Sequence, residues 1–344
     1  MSYHRLHRSL YSGIWLGLLA MAFASTAQAG KTLDAIKERG TLKCGVNTGL
    51  AGFSIADSQG KWSGLDADAC KALAAAVLSD PNKVQFVPLS AQQRFTALQS
   101  GEIDVLIRNT TWTLTRDASL GLYFAGVLFY DGQGFMVPKS LGVQSAKELN
   151  GAEICVQTGT TTELNLADYF RANGMSFKPV VFENLEESKT AFFNGRCQAY
   201  TTDRSGLASI RAADAPQPDA YVILPETISK EPLGPVVRRD DGEWFTIVKW
   251  MVYALLEAEE KGVTSANVEH MKDSKDPVIQ RLLGISGDMG EKLGLDNAWA
   301  ARAIKAVGNY GELYERNVAP IGLPRDGANQ LWTKGGLMYA MPVR

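Results

Sequence analysis

Residues 41–108 read TLKCGVNTGLAGFSIADSQGKWSGLDADACKALAAAVLSDPNKVQFVPLSAQQRFTALQSGEIDVLIR, and this stretch decides the fold. Thr41–Val46 has the apolar alternation of a short strand, and a Gly- and Ser-rich loop runs from Asn47 to Ser63. Leu65, Ala69, Leu73 and Val77 then recur at helical spacing, which predicts a helix capped by Asp66 and reaching Leu78. Val84–Leu89 reads as a second strand, Gln92–Gln99 as a helix stopped by Ser100-Gly101, and Ile103–Arg108 as a third strand. Strand, helix, strand, helix, strand predicts a parallel sheet with right-handed crossovers.

The pattern restarts near Ala152. Glu153–Gln157, Pro179–Phe182 and Arg196–Thr201 read as strands, with helices over Thr162–Ala172 and Leu185–Asn194 between them. An extended connector, Gly126–Pro138, separates the two α/β units, and Pro232 and Pro235 mark a second connector over Ile228–Val237. The chain thus leaves one lobe, builds another and returns. Its long return segment carries an apolar helix over Trp244–Glu260, in which Lys249 and the closing glutamates argue against a membrane span. Further helices are expected over Ala298–Val307 and Glu312–Arg316.

The N-terminus has a different character. Arg5 and Arg8 precede an apolar run from Leu10 to Phe23, and Ala27-Gln28-Ala29 follows as a small-x-small cleavage pattern. Residues 1–29 read as a secretory signal peptide, cut near Ala29/Gly30. Lys+Arg is 35 against 37 Asp+Glu, so the net charge of −2 becomes −4 (33 against 37) once Arg5 and Arg8 are removed. No basic excess offers a surface to nucleic acid.

Cleavage would also remove His4 and His7, leaving His270 alone. A zinc site with two histidines is then impossible, and a serine or cysteine triad would have to use His270, which sits in a polar string suited to a solvated helix face. No HExxH, GxSxG, GxGxxG or P-loop string occurs. The four cysteines, Cys44, Cys70, Cys155 and Cys197, permit three disulfide connectivities in an exported chain. Cys44–Cys70 and Cys155–Cys197 are the sequence-local pairs, and buried free thiols are the alternative.

Ligands of open α/β sheets bind beyond the carboxyl ends of strands. The third strand is followed by NTTWTLTRD (109–117), with four threonines, an amide and Arg116. Glu153–Gln157 is followed by TGTTTE (158–163), where Thr160 and Glu163 fit a capping box that leaves free N–H groups for a carboxylate. Arg196–Thr201 is followed by Thr202-Asp203. An Arg with hydroxyls for an anion, and an acid for a cation, is the set that a zwitterionic α-amino acid requires. Taken singly, these features are also those of a surface ion pair, a helix cap and a turn cap.

In this order, GLDAD (64–68), GEID (101–104), the Thr/Arg loop, GTT (159–161) and Asp203 resemble the polar amino-acid-binding family of ABC importers. NTTWT (109–113), YDGQGF (130–135), ISKEPLGP (228–235), KAVGNYGE (305–312) and LWTKGGL (331–337) are most similar to its general L-amino-acid-binding subfamily. The resemblance implies an α/β, two-lobed periplasmic binding protein of type II, each lobe a helix-flanked sheet, joined by two crossover strands. It implies lobe one over 30–135 plus 236–344, with a C-terminal helical extension, and lobe two with the hinge strands over 136–235.

The resemblance implies roles as well. Arg116 would clamp the ligand carboxylate, supported by Thr111 and Thr161, and Asp203 would take the ammonium with the carbonyl of Asn109. Phe53 stands where relatives place an aromatic near the ligand side chain, with packing as its alternative. Relatives selective for cationic side chains carry an acid where Asn47 stands and often an aromatic where Leu50 stands, so a permissive pocket is expected. The protein would then be a monomer without cofactor or metal that hands L-amino acids to the membrane permease of an ABC importer. A periplasmic dehydratase or lyase on the same scaffold and a ligand-sensing partner of a membrane receptor are the other readings.

Overall fold

The computed structural model describes residues 30–344; the signal-peptide reading of residues 1–29 lies outside the described residues. The chain opens with α1 (Lys31–Arg39), β1 (Leu42–Asn47) and a small hairpin of β2 (Ile55–Ala56) and β3 (Trp62–Ser63). Next come α2 (Leu65–Leu78), β4 (Val84–Leu89), α3 (Gln93–Gln99), β5 (Val105–Leu106), α4 (Leu114–Ser119) and β6 (Leu122–Phe124). A crossing strand, β7 (Phe129–Asp131), leads to β8 (Gln133–Pro138), β9 (Glu153–Gln157), α5 (Thr161–Ala172), β10 (Lys178–Phe182), α6 (Leu185–Phe193), β11 (Ala199–Asp203), α7 (Arg204–Ala213) and β12 (Tyr221–Ile223). The chain returns through β13 (Glu231–Leu233) and β14 (Val236–Arg238), then continues with α8 (Gly242–Glu260), α9 (Pro277–Leu282), α10 (Trp299–Val307) and α11 (Tyr310–Asn317).

Two five-stranded sheets result, ordered β4-β1-β5-β14-β6 and β10-β9-β11-β8-β12. In each, the second strand is flanked by two parallel neighbours: β1 by β4 and β5, and β9 by β10 and β11. Each sheet then admits the strand that adjoins a crossing, so β14 runs antiparallel to β5, and β8 to β11. The crossings themselves, β7 and β13, pair antiparallel with each other, Tyr130 opposite Pro232. The chain thus forms two α/β lobes joined by a two-stranded ribbon. That ribbon is shorter than the sequence suggests, because Gln133–Pro138 belongs to the second sheet rather than to the connector.

Packing explains the regular elements. In α2 every residue but Lys71 and Leu78 is buried, since one side faces the first sheet and another faces α10. α2 packs on α10, and both bring small residues to the shared core, Ala69, Ala72, Ala74 and Ala76 from one and Ala300, Ala301 and Ala303 from the other. Arg302 ends the contact by donating to the carbonyls of Ala75 and Ala76 at 3.1 and 2.9 Å, where α2 runs out of internal donors. Asp66 does not cap α2, contrary to its expected role: Gly64 holds the N-cap position and Asp66 lies in the first turn, its carboxylate turned toward the end of β5. In α8, Asp241 caps the backbone N–H of Trp244, whose indole donates to the carbonyl of Asp104 at 2.9 Å and anchors the helix to the first sheet. Among the described residues no helix is long and apolar enough to cross a membrane. Disulfides link Cys44 in β1 to Cys70 in α2, and Cys155 in β9 to Cys197 just before β11.

Candidate ligand-binding site

A cleft opens to solvent where the carboxyl ends of β1, β5, β9 and β11 converge. Where a strand is flanked on both sides by parallel neighbours, the connections part beyond its carboxyl end, and this holds for β1 in one sheet and β9 in the other. Asn47, Arg108 and Asn109 line the cleft from lobe one, and Thr160, Thr161 and Asp203 from lobe two.

The first loop is folded by its own side chains. Asn109 adopts φ +33°, in the left-handed region that Asn tolerates better than most residues, and so reverses the chain after β5. Its N–H donates to Asp66 at 2.7 Å and its side-chain oxygen accepts from Asn47 at 3.0 Å. The loop then adds to the crossing ribbon: Trp112 N–H donates to the Pro232 carbonyl at 2.8 Å, and Gly234 N–H to that of Thr110 at 3.1 Å. Thr113 caps α4, which sets Arg116 one turn in, and the Arg116 guanidinium donates to the Thr111 carbonyl at 2.8 Å.

Lobe two answers with the start of α5. Thr160 caps it by accepting from Glu163 N–H at 3.2 Å. The reciprocal half of the expected box is displaced by one residue, the Glu163 carboxylate accepting from Gly159 N–H rather than Thr160 N–H. Gly159 has φ +74°, and a Cβ there would lie 2.8 Å from Gln92, so only glycine lets the lobes approach at this turn. Thr161 hydroxyl stands 3.5 Å from that of Thr111 across the cleft and donates to Glu231, on the crossing strand, at 2.9 Å.

Electrostatics sets this cleft apart. Asp203 is buried, and burial followed by the neighbouring Asp131 and Glu231 carboxylates holds it well above the usual carboxylate range, against the pull of Arg94 and Arg116. Burial also pushes Asp131 and Asp66 up to about 6, although hydrogen bonds from Ser205 and Gly132 favour the ionised Asp131 and that from Asn109 the ionised Asp66. Three guanidiniums face these acids. Burial lowers Arg108 and Arg116 to about 10, and burial with the other two arginines drives Arg94 down as well. Arginine nonetheless stays cationic at neutral pH, so the shifts register the cost of holding three desolvated charges together.

The sequence candidates are thus distributed unevenly. Thr111, Asn109, Thr161 and Asp203 line the cleft. Arg116 stands behind it, 8% exposed and tied to the Thr111 carbonyl. Phe53 does not reach it: the ring is wholly buried and packs edge-on against Phe129 at 5.5 Å, the packing alternative of the sequence reading. His270 is exposed on a single 3₁₀ turn far along the chain from the cleft residues. Arg94, Arg108 and Glu231 escape a reading of the sequence. Arg108 ends the third predicted strand and is signalled by its position, whereas Arg94 and Glu231 sit in strings that read as an ordinary helix start and an ordinary connector. Among the described residues no cluster of His, Cys, Asp and Glu could hold a metal ion.

The family of bacterial extracellular solute-binding proteins, family 3, matches residues 42–267. The chain belongs to that family. It is 57% identical over 334 residues to the general L-amino acid-binding periplasmic protein AapJ of Rhizobium johnstonii, covering 96% of this chain and 97% of that protein. It is also 57% identical over 335 residues to the glutamate/glutamine/aspartate/asparagine-binding protein BztA of Rhodobacter capsulatus, covering 96% and 98%. A solved ABC transporter periplasmic binding protein from Brucella ovis with glutathione bound is 57% identical with a TM-score of 0.89, over 91% of this chain and 99% of that one. As a family 3 member the chain is a solute-binding protein.

Proposed function

We propose that this protein captures free L-amino acids in the periplasm, with broad side-chain specificity, and delivers them to the membrane permease of an ABC-type importer. One observation carries the reading: a buried acid at the end of β11, Asp203, opposes the buried guanidiniums of Arg94 on α3, Arg108 just after β5 and Arg116 on α4, across the meeting of two lobes. A zwitterion has that charge pattern. In this assignment Arg116 takes the α-carboxylate, with the Thr111 and Thr161 hydroxyls and the first N–H groups of α5 sharing it. Asp203 and the carbonyl of Asn109 take the ammonium, whose arrival favours the ionised carboxylate that burial opposes.

Breadth comes from the remaining lining. Beside the charged Arg94 and Arg108, it includes Asn47, Leu50, Leu185 and Ile210, amide or aliphatic groups that shape a space without committing it to one side chain. Names of the relatives, one a general L-amino acid binder and one a binder of two acids and their amides, point the same way. The β7–β13 ribbon would serve as hinge for lobe one (30–135 plus 236–344) and lobe two (136–235). The exposed position of His270 favours capture without turnover over a dehydratase or lyase. Export by cleavage near Ala29/Gly30 and a monomeric state complete the proposal.

The Brucella ovis structure supports a second ligand for the same clamp. Glutathione presents a free α-ammonium and α-carboxylate on its γ-glutamyl end, so it offers the same zwitterion. Isothermal titration of residues 30–344, refolded to strip any carried ligand, against a panel of L-amino acids and glutathione tests both. Saturable binding of several chemically different L-amino acids is expected; binding of none by a folded sample would overturn the proposal.

A further inference from the structure

Three polar contacts span the cleft from lobe to lobe, and all three are long. The Gln92 amide donates to the Thr158 hydroxyl at 3.4 Å, Arg94 donates to the Gly159 carbonyl at 3.4 Å, and the Thr111 and Thr161 hydroxyls stand 3.5 Å apart. Each exceeds the ordinary length of such a bond. The surfaces that carry the first two are stiff. Glu163 fastens the turn to α5, its carboxylate accepting from the Thr158 hydroxyl and the Gly159 N–H at 3.2 Å each, while Thr158 N–H donates to the Phe182 carbonyl at 2.9 Å. Opposite, Ser90 and Gln93 bond each other reciprocally at 3.2 Å and fix the start of α3. Gly159 has no room for a side chain: a Cβ would lie 2.8 Å from Gln92 Cγ and 3.3 Å from its Cα and backbone nitrogen. Gln92 itself is exposed, so a larger side chain is tolerated within its own lobe.

Gln92, Thr158 and Gly159 stand outside the set of residues that line the cleft. Lobes on a hinge hold a ligand by closing over it, and closure ends where two stiff surfaces meet. We infer that Gln92 and the Thr158-Gly159 turn are that closure stop: they fix how far the lobes approach on capture, and so set the affinity for every L-amino acid without touching it. The inference rests on the amino-acid reading of the cleft. Bringing the three contacts to ordinary length takes a further approach of about 0.5 Å. A methyl group on Gly159, already too close to Gln92, forbids that approach. Gln92 and Gly159 are therefore positioning residues. A change at either acts on all ligands alike, and mainly on dissociation, because entry into the open cleft precedes contact at the stop.

The test is calorimetric and stopped-flow titration of L-alanine and L-glutamine into refolded residues 30–344, as wild type, Gly159→Ala, Gln92→Trp and the double variant Gly159→Ala/Gln92→Ala. Gly159→Ala and Gln92→Trp should each weaken both ligands alike by roughly 10- to 100-fold, through faster dissociation. The double variant lacks the Gln92 Cγ that the new methyl group meets, so it should recover most of the loss. Wild-type binding by Gln92→Trp would show that the lobes do not come to rest here, and it decides the question even if Gly159→Ala fails to fold. A Gly159→Ala loss that the second substitution leaves unchanged would belong to the turn's own backbone and would overturn the stop. A loss confined to one ligand would make the turn a side-chain contact and would overturn it too. Failure of wild type to bind either ligand would sink the amino-acid reading itself, an outcome distinct from the others.

Discussion

Asn329 brackets the backbone of Tyr130: its side-chain oxygen accepts the Tyr130 N–H at 2.8 Å and its amide nitrogen donates to the Tyr130 carbonyl at 2.9 Å. Tyr130 is the middle residue of β7, whose other edge is paired with β13. Two residues earlier, the Leu128 carbonyl accepts from the Tyr310 hydroxyl at 2.6 Å. The segment beyond residue 267, outside the family match, thus grips the ribbon that joins the lobes. Asn329→Ala leaves two half-buried backbone groups without their partner and should cost about 1–3 kcal/mol in a urea unfolding measurement. A loss below a few tenths would show that water replaces the bracket.

Asp203 links stability to pH. Its folded-state carboxyl is held well above the ordinary 3.8, so the folded chain keeps a proton that the unfolded chain releases. That contribution is greatest below the unfolded value and is lost as pH rises through the folded one. Asp203→Asn removes it, so the variant should gain stability relative to ligand-free wild type as pH rises from about 4 upward. The same variant should lose L-amino acid binding. A stability difference that stays flat with pH would contradict a desolvated acid at this position.

Arg116→Ala should weaken L-amino acid binding by about 3–5 kcal/mol, because a carboxylate would be buried without its cation. Titration calorimetry measures this directly. Near-wild-type affinity would move the α-carboxylate onto the cleft-lining Arg94 or Arg108 and leave Arg116 as a brace for the Thr111 carbonyl.

The disulfides close loops of 26 and 42 residues, one in each lobe. Each should contribute about 2–4 kcal/mol, so a reductant should lower the urea midpoint while leaving the cleft residues in place. An unchanged midpoint with the thiols shown to be free would contradict that contribution.

Regular elements with strong periodicity are legible in the sequence. Leu65, Ala69, Leu73 and Val77 announce α2, and the repeated strand–helix order announces two sheets. Short strands are less so: β5 covers only Val105–Leu106, because Arg108 and Asn109 bend out of the sheet to build the loop. Thr111, Asn109, Thr161 and Asp203 can be found by reading the loop after each strand, since the parallel topology brings strand ends together. Arg94 cannot, because it enters from the first turn of α3 and only the folded chain sets it against Gly159 of the other lobe. Phe53 is open to either reading because burial is not encoded in a single aromatic.

The central claim is that the cleft reads the zwitterion rather than the side chain. The most direct measurement is calorimetric titration of refolded residues 30–344 with L-alanine, with lactate, which lacks the ammonium, and with alaninamide, which lacks the carboxylate. The clamp predicts saturable binding of L-alanine and a loss of at least roughly 100-fold for each analogue, since each leaves a buried charge unpaired. Comparable affinity for all three would contradict it.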